Sequence, residues 1–170
     1  MKNERYDYQT IVAVKILVYK NDKLLLLREP ATNEWMPNRL SLPGGKLFLN
    51  ETIEEGLKRK IQTEIGLEVE LKGLVKVLDI LMPEKNVFHL VFLAEHSGDG
   101  KIDEETEASE FHWMGAEEAE SLTVDDFAEY YYPQLFGEYF DKKLTASPMN
   151  IIQPQDNRVG NVAAWMKKGN

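Results

Sequence analysis

Apolar residues in this chain follow two spacings, one typical of strands and one typical of helices. Stretches that alternate or are rich in β-branched residues predict strands. These cover residues 10–19, 23–28, 40–42, 46–48, 67–71, 74–81, 86–96 and 111–114. The turn formers Asn21-Asp22 and Pro83-Glu84-Lys85 predict hairpins, and Lys72-Gly73 is expected to separate two strands.

One helix is indicated by several signals that agree. Its apolar stripe consists of residues spaced four apart, namely Ile53, Leu57, Ile61 and Ile65. Thr52 and Glu55 have the spacing of a capping box, and Gly66 stands where helices often end. Because Gly44-Gly45 shortly precedes the helix, the pattern predicts a glycine-rich turn that leads into it.

Two further helices are predicted after the last strand. Residues 116–122 form a short helix, and residues 124–143 form an aromatic-rich one that Pro133 kinks or divides. Its aromatic stripe favours packing in a core or a dimer over a ligand platform. The order of the elements predicts an α/β domain with layers of α/β/α type and a mixed sheet.

Composition narrows the class of protein. The chain has 170 residues, of which 43% are hydrophobic and 29% charged, which suits one soluble domain. No run approaches the roughly 18 apolar residues of a membrane span, and residues 1–8 are too polar for a signal peptide. The absence of cysteine excludes disulfides, and the net charge of −9 disfavours nucleic-acid binding. We expect a cytoplasmic protein that binds neither nucleic acid nor membranes.

The segment from Gly44 to Leu67 resembles the signature of the Nudix hydrolase superfamily. The residues in register with that signature are Gly45, Glu51, Arg59, Ile61, Glu64, Gly66 and Leu67, preceded by Leu42-Pro43-Gly44. Two family glutamates are replaced, by Lys60 and Thr63. The resemblance covers roughly residues 10–122 and implies a Nudix-type α/β/α sandwich with a mixed β-sheet. We expect this domain over residues 1–144, followed by a tail over residues 145–170 that docks on the domain or on a partner subunit.

The resemblance also implies roles for individual residues. The glycine carbonyl and the last glutamate that bind the metal in the family match Gly44 and Glu64, so Mg²⁺ is the implied cofactor, with Mn²⁺ as an alternative. Glu51 and Arg59 would pair and brace the turn against the helix. Lys60 lies one turn before Glu64, so it would pair with that ligand or reach a substrate phosphate.

GDP-mannose mannosyl hydrolases resemble this chain in that they also lack these two glutamates and keep the last one. That branch takes a further metal ligand and a histidine base from the loop before a late tryptophan-containing strand. Glu107 matches the ligand, whereas Ala108 stands at the position of the histidine. The catalytic set is therefore Glu51, Arg59, Glu64 and Glu107. The base stays open among Glu105, Glu110 and His112.

Substrate contacts are expected from four residues. Arg28 and Lys46 resemble phosphate-contacting basic residues of the mannosyl hydrolases, and Lys60 is a further cation near the helix end. Trp35 lies in the irregular connection 29–39, where it either lines a binding cleft or packs as a lid on the core. His89, within a predicted apolar strand, is better explained as a core residue than as a catalytic one.

The leading hypothesis is a magnesium-dependent hydrolase of a nucleoside diphosphate linked to another group, above all a nucleotide sugar of the GDP-mannose or ADP-ribose type. Pro83, sixteen residues beyond Leu67, resembles a weak marker of ADP-ribose pyrophosphatases. The alternative is a Nudix-fold module that binds a nucleotide or sugar nucleotide with little turnover, because Lys60 and Thr63 remove two carboxylates. The oligomeric state stays open, with a homodimer as one option.

Overall fold

A computed structural model describes residues 9–83, 85–98 and 110–148. Its strands are β1 (Gln9–Lys20), β2 (Lys23–Arg28), β3 (Leu40–Ser41), β4 (Gly44–Lys46), β5 (Glu70–Leu81), β6 (Lys85–Glu95) and β7 (Glu110–Met114). Its helices are α1 (Ile53–Glu64), α2 (Ala116–Ser121) and α3 (Tyr132–Phe140), with a 3-10 turn at Val124–Asp126. No helix in these ranges is long and apolar enough to span a membrane.

The strands form one mixed sheet, as the sequence predicts. The order is β3-β2-β1-β6-β5, with β4 paired to β1 and β7 paired to β2. The β1–β6 pair is parallel and the other pairs are antiparallel. β1 pairs with β2 at Tyr19 and Lys20 but with β4 at Ala13–Lys15. Because β1 changes partner along its length, β1 and β2 diverge and leave room for a cleft.

Alternate residues of β1 serve two cores on opposite faces of the sheet. Val14 and Ile16 belong to a core that includes Leu57 of α1. Leu17 belongs to the other core, which includes Phe136 of α3. Helices therefore cover both faces, which confirms the predicted layered α/β architecture.

Helix α1 forms where the sequence predicts it. The reciprocal hydrogen bonds of the capping box between Thr52 and Glu55 are present at its start. Leu57 is 1% exposed and fastens the helix to the sheet. At the other end, Gly66 adopts a left-handed backbone with φ of 61° and donates its N–H to the Ile61 carbonyl at 2.9 Å. Capping and burial together hold both ends of the helix at defined places.

The predicted break at Lys72-Gly73 is wrong, because β5 runs unbroken through it. The β5–β6 register is irregular between Leu71 and Gly73 and again between Leu74 and Lys76, while Gly73 itself pairs with Leu93. Gly73 has φ of 140°, and a Cβ there would lie 2.3 Å from the Ser147 carbonyl oxygen. Ser147 and Leu74 exchange backbone hydrogen bonds of 2.9 and 2.8 Å. The first residues of the expected tail thus contact β5, while residues 149–170 lie outside the described residues.

The second closing helix is shorter than predicted. Residues 124–126 form a separate turn, and α3 begins only at Tyr132. Pro133 lies in the first turn of α3, where a missing N–H breaks no helical hydrogen bond, so it starts this helix instead of kinking it. The strand expected at residues 46–48 begins earlier, at Gly44, because β4 follows the pairing offered by β1.

His89 is a buried residue of β6, as the sequence analysis favours. Its Nδ1 lies 2.7 Å from the Tyr131 hydroxyl. Burial lowers the pKa of the imidazole from 6.5 to about 4, and the charge of Lys15 acts in the same direction. His89 is therefore neutral in the folded protein at neutral pH.

Leu57→Ala should lower the free energy of unfolding by about 2–5 kcal/mol, because it leaves a cavity under α1. Gln62→Ala, at an exposed position of the same helix, should change it by less than about 0.5 kcal/mol. Denaturant unfolding of both variants checks the prediction. Equal, small effects would show that α1 is not anchored through Leu57.

His89→Gln should flatten the pH dependence of stability. In the unfolded chain His89 takes up a proton as the pH falls through 6.5, whereas in the folded protein it does so only near 4. The unfolded state then binds more protons, so stability present above pH 6.5 is lost toward pH 4. Between pH 7.5 and 5, wild type should lose about 1–2 kcal/mol more than the variant in denaturant titrations. Parallel curves would contradict a buried neutral histidine.

Candidate active site

A cleft of about 310 Å³ opens where β1 and β2 diverge. Its walls combine strand residues, the connection after β2, the glycine turn and the end of α1. The charged residues in this lining are Lys15, Arg28, Glu29 and Glu64. Gly44 lies in the same lining. The structure therefore brings Gly44, Glu64 and Arg28, three residues singled out by the sequence, to one cavity.

Glu64 is the last residue of α1 and is 9% exposed. Its Oε2 accepts the backbone N–H of Gly44 at 2.7 Å. Its Oε1 accepts a hydrogen bond from the Lys60 ammonium, also at 2.7 Å. One carboxylate thus joins the glycine turn to the helix and carries a lysine on its other oxygen.

The two glycines before the helix are required for different reasons. Gly44 has φ of 148°, and a Cβ there would lie 2.1 Å from the Val14 carbonyl oxygen. A Cβ on Gly45 would lie 2.6 Å from Cε of Lys60. The turn is therefore glycine-rich because one residue approaches β1 closely and the next leaves space for the lysine side chain.

Glu51 and Arg59 form the predicted pair. The guanidinium Nε donates to Oε1 at 2.6 Å, and its terminal nitrogen donates to Oε2 at 2.8 Å. The Arg59 guanidinium holds the pKa of Glu51 near 2, with help from the N–H of Phe48. Arg59 also donates to the Lys46 carbonyl at 3.1 Å and lies 3.9 Å from the centre of the Phe48 ring. These contacts tie the turn and α1 together.

The expected substrate residues differ in position. Arg28 lines the cleft, where it donates to Glu110 Oε2 and to the Asn38 carbonyl, each at 2.8 Å. Glu110, a candidate base, is therefore paired with a cation. Lys46 is exposed and stands outside the cleft lining, and its carbonyl serves the contact with Arg59.

The connection after β2 lines the cleft, but Trp35 does not pack on the core. Trp35 is 85% exposed, so its alternative role as a core lid is wrong. The loop is shaped by Asn33, whose Oδ1 accepts the N–H groups of Trp35 and Met36 at 2.9 and 3.1 Å. Asn33 also donates to Glu29 at 2.9 Å. The loop thus places polar side chains in the cleft and a tryptophan at the surface.

The remaining candidates for the acid–base residue fall in two groups. His112 is half-exposed on β7, and its Nε2 lies 2.5 Å from Glu118 Oε1 of α2. It stands outside the cleft lining. Glu105 and Glu107 lie outside the described residues. The described part of the chain thus supplies no third residue beside Gly44 and Glu64 from the set expected to bind the metal.

Sequence reasoning missed a charged residue on the cleft floor. Lys15 belongs to β1 and is 13% exposed. Its Nζ lies 4.0 Å from Oε1 of Glu129, which the sequence pattern had assigned to a helix. A signal was present, because Lys15 interrupts the otherwise apolar run from Ile11 to Val18. Charge inside a buried strand is unusual and often functional.

The residues around Glu64 suit a divalent cation with few protein ligands better than one that is enclosed by protein ligands. Within residues 9–83, 85–98 and 110–148, no group of three or more His, Cys, Asp or Glu side chains is arranged to hold a metal. Mg²⁺ is commonly bound through one or two carboxylates, several waters and substrate phosphates. One carboxylate at the cleft suits that mode of binding.

Comparisons with known proteins agree with this geometry. A family model described as the NUDIX domain matches residues 9–135. The chain is 28% identical over 116 residues to the 8-oxo-dGTP diphosphatase of Escherichia coli (strain K12), covering 68% of this chain and 85% of that protein. It is 30% identical over 114 residues to the ADP-ribose pyrophosphatase of Methanocaldococcus jannaschii, covering 65% of this chain and 66% of that protein.

Solved structures show the same fold. The MutT protein from Methanosarcina mazei Go1 superposes with a TM-score of 0.65 at 24% identity, covering 81% of this chain and 96% of that one. A NUDIX hydrolase from Nitrosomonas europaea superposes with a TM-score of 0.68 at 20% identity, covering 87% and 99%. With the family model matching most of the chain and the glycine turn and α1 arranged around one carboxylate, the chain belongs to the Nudix hydrolase family.

Proposed function

We propose that this protein hydrolyses a nucleoside diphosphate linked to another group, with a nucleotide sugar of the GDP-mannose or ADP-ribose type as the favoured substrate, and that it depends on Mg²⁺ or Mn²⁺. The observation that carries the proposal is the Glu64 carboxylate, which lies in the cleft and is oriented by the Gly44 N–H. Relatives named as an 8-oxo-dGTP diphosphatase and an ADP-ribose pyrophosphatase support a small nucleotide derivative as substrate.

Hydrolysis of such a substrate needs charge neutralisation on the phosphates and an activated water. A divalent cation held by Glu64 and the Gly44 carbonyl would supply both, as a Lewis acid and as a site for water of lowered pKa. Glu64 keeps a fixed orientation because its Oε2 is bound by the turn. Glu107, outside the described residues, is the proposed third ligand, and the base remains open among Glu105, Glu110 and His112.

Lys60 determines when Glu64 is available. Its ammonium donates to Oε1 of Glu64 and would repel a divalent cation there, so we expect Lys60 to move away when the cation binds. A lysine released beside the cleft would be free to bind a substrate phosphate. Lys60 thus competes for the carboxylate in the free protein and would contribute a positive charge to the substrate complex.

Other residues would orient the substrate. Arg28 lines the cleft and has donors suited to phosphate. The exposed ring of Trp35, in the loop that forms a wall of the cleft, is available to stack on a nucleobase. The Glu51–Arg59 pair would act through position alone, since it holds the turn on which Gly44 depends. Lys46 remains a candidate for contact with phosphates that extend beyond the cleft.

A second candidate function is a module that binds a sugar nucleotide with little turnover. The contact that favours it is the 2.7 Å bond between Lys60 and Glu64, which neutralises the carboxylate without a metal. In such a module the basic residues of the cleft, including Arg28, would bind the substrate phosphates without subsequent hydrolysis. The two functions differ in whether metal and substrate together yield products.

Glu64→Gln should abolish metal-dependent turnover while preserving the fold. The loss should exceed about 100-fold, because even an outer-shell partner of a metal is worth about 10- to 100-fold. The assay measures product release from GDP-mannose, ADP-ribose and 8-oxo-dGTP with Mg²⁺. Glu54→Gln, on the exposed face of α1, is the matched control and should retain activity. Tight substrate binding without turnover in wild type would favour the binding module.

Lys60→Gln should tighten Mg²⁺ binding and weaken substrate binding at the same time. Removing the ammonium frees Oε1 of Glu64 for the cation but deletes a phosphate contact, which should raise KM about tenfold. Calorimetry with Mg²⁺ and steady-state kinetics measure the two effects. Lys58→Gln, which breaks the neighbouring Lys58–Glu54 pair, should change neither. An unchanged KM would show that Lys60 has no role toward substrate.

A further inference from the structure

The cleft contains a cation that its family signature does not explain. Lys15 lies opposite Gly44 in the β1–β4 register, and its neighbours in β1, including Val14 and Ile16, are fully buried. A lysine in such a strand costs stability unless its charge is compensated. The side chain nevertheless reaches the lining of the cleft that contains Glu64. This position in the fold indicates that the Lys15 ammonium acts on a ligand in the cleft.

Burial opposes the charge of Lys15, but Tyr132, Glu129 and Glu64 outweigh it and raise the pKa of the ammonium, so Lys15 is positively charged in the folded protein. The nearest carboxylate oxygen, Oε1 of Glu129, is 4.0 Å away, which is too far for a hydrogen bond. The Tyr132 hydroxyl is a further polar neighbour of the ammonium. An ammonium has three N–H donors. Within the described residues, the protein thus positions this charge without using all of its donors.

Behind Lys15, a polar network keeps Glu129 in place. The same Glu129 oxygen, Oε1, lies 3.9 Å from Nδ1 of His89, and that nitrogen lies 2.7 Å from the Tyr131 hydroxyl. Burial raises the pKa of Glu129, and the charge of Lys15 opposes that rise. Since His89 and Tyr131 are neutral at neutral pH, Glu129 is the nearest negative charge to Lys15, and Glu64 adds a further attraction. Glu129 is outside the cleft lining, so of this pair only Lys15 faces a ligand in the cleft, beside the charged lining residues Arg28, Glu29 and Glu64.

We propose that Lys15 is a further substrate-binding residue whose ammonium takes an oxyanion of the substrate phosphates on the cleft floor, with Glu129 as the positioning residue that aims it. This inference rests on the proposed function for the identity of the ligand as a diphosphate derivative. Lys15 and Arg28 then supply positive charge from two places in the cleft, β1 and the end of β2. A phosphate bound between them would lie in the same cavity as Glu64.

Lys15→Met tests the contact directly, with inorganic pyrophosphate as the probe. Methionine is of similar length and is apolar, so it suits the buried strand. Calorimetry on the full chain in a chelator, without divalent metal, should show pyrophosphate binding weakened about tenfold or more, the scale of one charge-assisted hydrogen bond. Lys58→Gln, which replaces an exposed lysine of α1, should change the affinity less than about twofold. Equal affinity in Lys15→Met and wild type, or no pyrophosphate binding by wild type, would overturn the proposal.

A second measurement uses the wild-type chain together with Lys15→Arg, a variant that keeps the positive charge at this position. Lysines labelled with ¹³C-methyl groups give separate NMR signals, and Lys15→Arg identifies the signal of Lys15. Pyrophosphate should shift that signal, whereas an unshifted signal would overturn the proposal. Both experiments are independent of turnover. A chain that binds pyrophosphate through Lys15 but hydrolyses no substrate would refute the proposed function and leave this inference standing.

Glu129→Gln tests the positioning role. It keeps the shape of the side chain and removes the charge that aims Lys15, so it should raise KM for the hydrolysed substrate several-fold with kcat nearly unchanged. Glu129→Asp, which restores the charge, should recover part of the affinity. If Glu129→Gln instead lowers kcat and the melting temperature together with unchanged KM, Glu129 is merely structural and the positioning role is wrong.

Discussion

The site depends on one carboxylate that is shared between a turn and a lysine. Glu64 ends α1, binds the Gly44 N–H through one oxygen and the Lys60 ammonium through the other. The turn can approach β1 closely because Gly44 has no Cβ, and α1 presents Glu64 there because Leu57 and Ile65 are buried against the sheet. The turn and α1 therefore meet at one acidic side chain.

A shared carboxylate has a chemical consequence. The resemblance to the Nudix signature implies that Lys60 and Thr63 stand where two of three clustered glutamates would be, which would leave Glu64 as the carboxylate of that cluster. The resulting site is suited to a cation that is shared with substrate phosphates, and to a phosphate group whose charge is met by side chains. Lys15 and Arg28 provide such charge within the same cleft. In a chain with a net charge of −9, the lining of this cleft thus pairs the cations Lys15 and Arg28 with the carboxylates Glu29 and Glu64.

The parts of the fold that local patterns determine could be predicted from the sequence. Helix α1 and its capping box follow from spacing within a few turns, and the Glu51–Arg59 pair follows from the family signature. The parts set by distant contacts could not be predicted. The sequence predicts a break between strands at Gly73, whereas in the structure this glycine lets the Ser147 backbone approach β5. The sequence predicts that Pro133 kinks or divides a helix, whereas in the structure it lies in the first turn of α3.

The site, too, could be predicted from the sequence only in part. Gly44, Glu64 and Arg28 meet in the cleft, whereas the exposure of Trp35 depends on loop packing that the residue pattern does not encode. Lys15 escaped notice because Glu129 is far from it in the chain, and the two meet only when the segment between the 3-10 turn and α3 packs near β1. The sequence shows only a lysine within an apolar strand, and its position in the cleft lining indicates its role.

We propose that Glu64 exchanges Lys60 for a divalent cation when a nucleoside diphosphate derivative is bound. Anomalous scattering from crystals grown with Mn²⁺ and ADP-ribose or GDP-mannose tests this exchange. We expect a manganese peak within coordination distance of Glu64, with the Lys60 ammonium moved from Oε1 to a phosphate oxygen. Bound ligand with no metal at Glu64 and an intact Lys60–Glu64 hydrogen bond would contradict it.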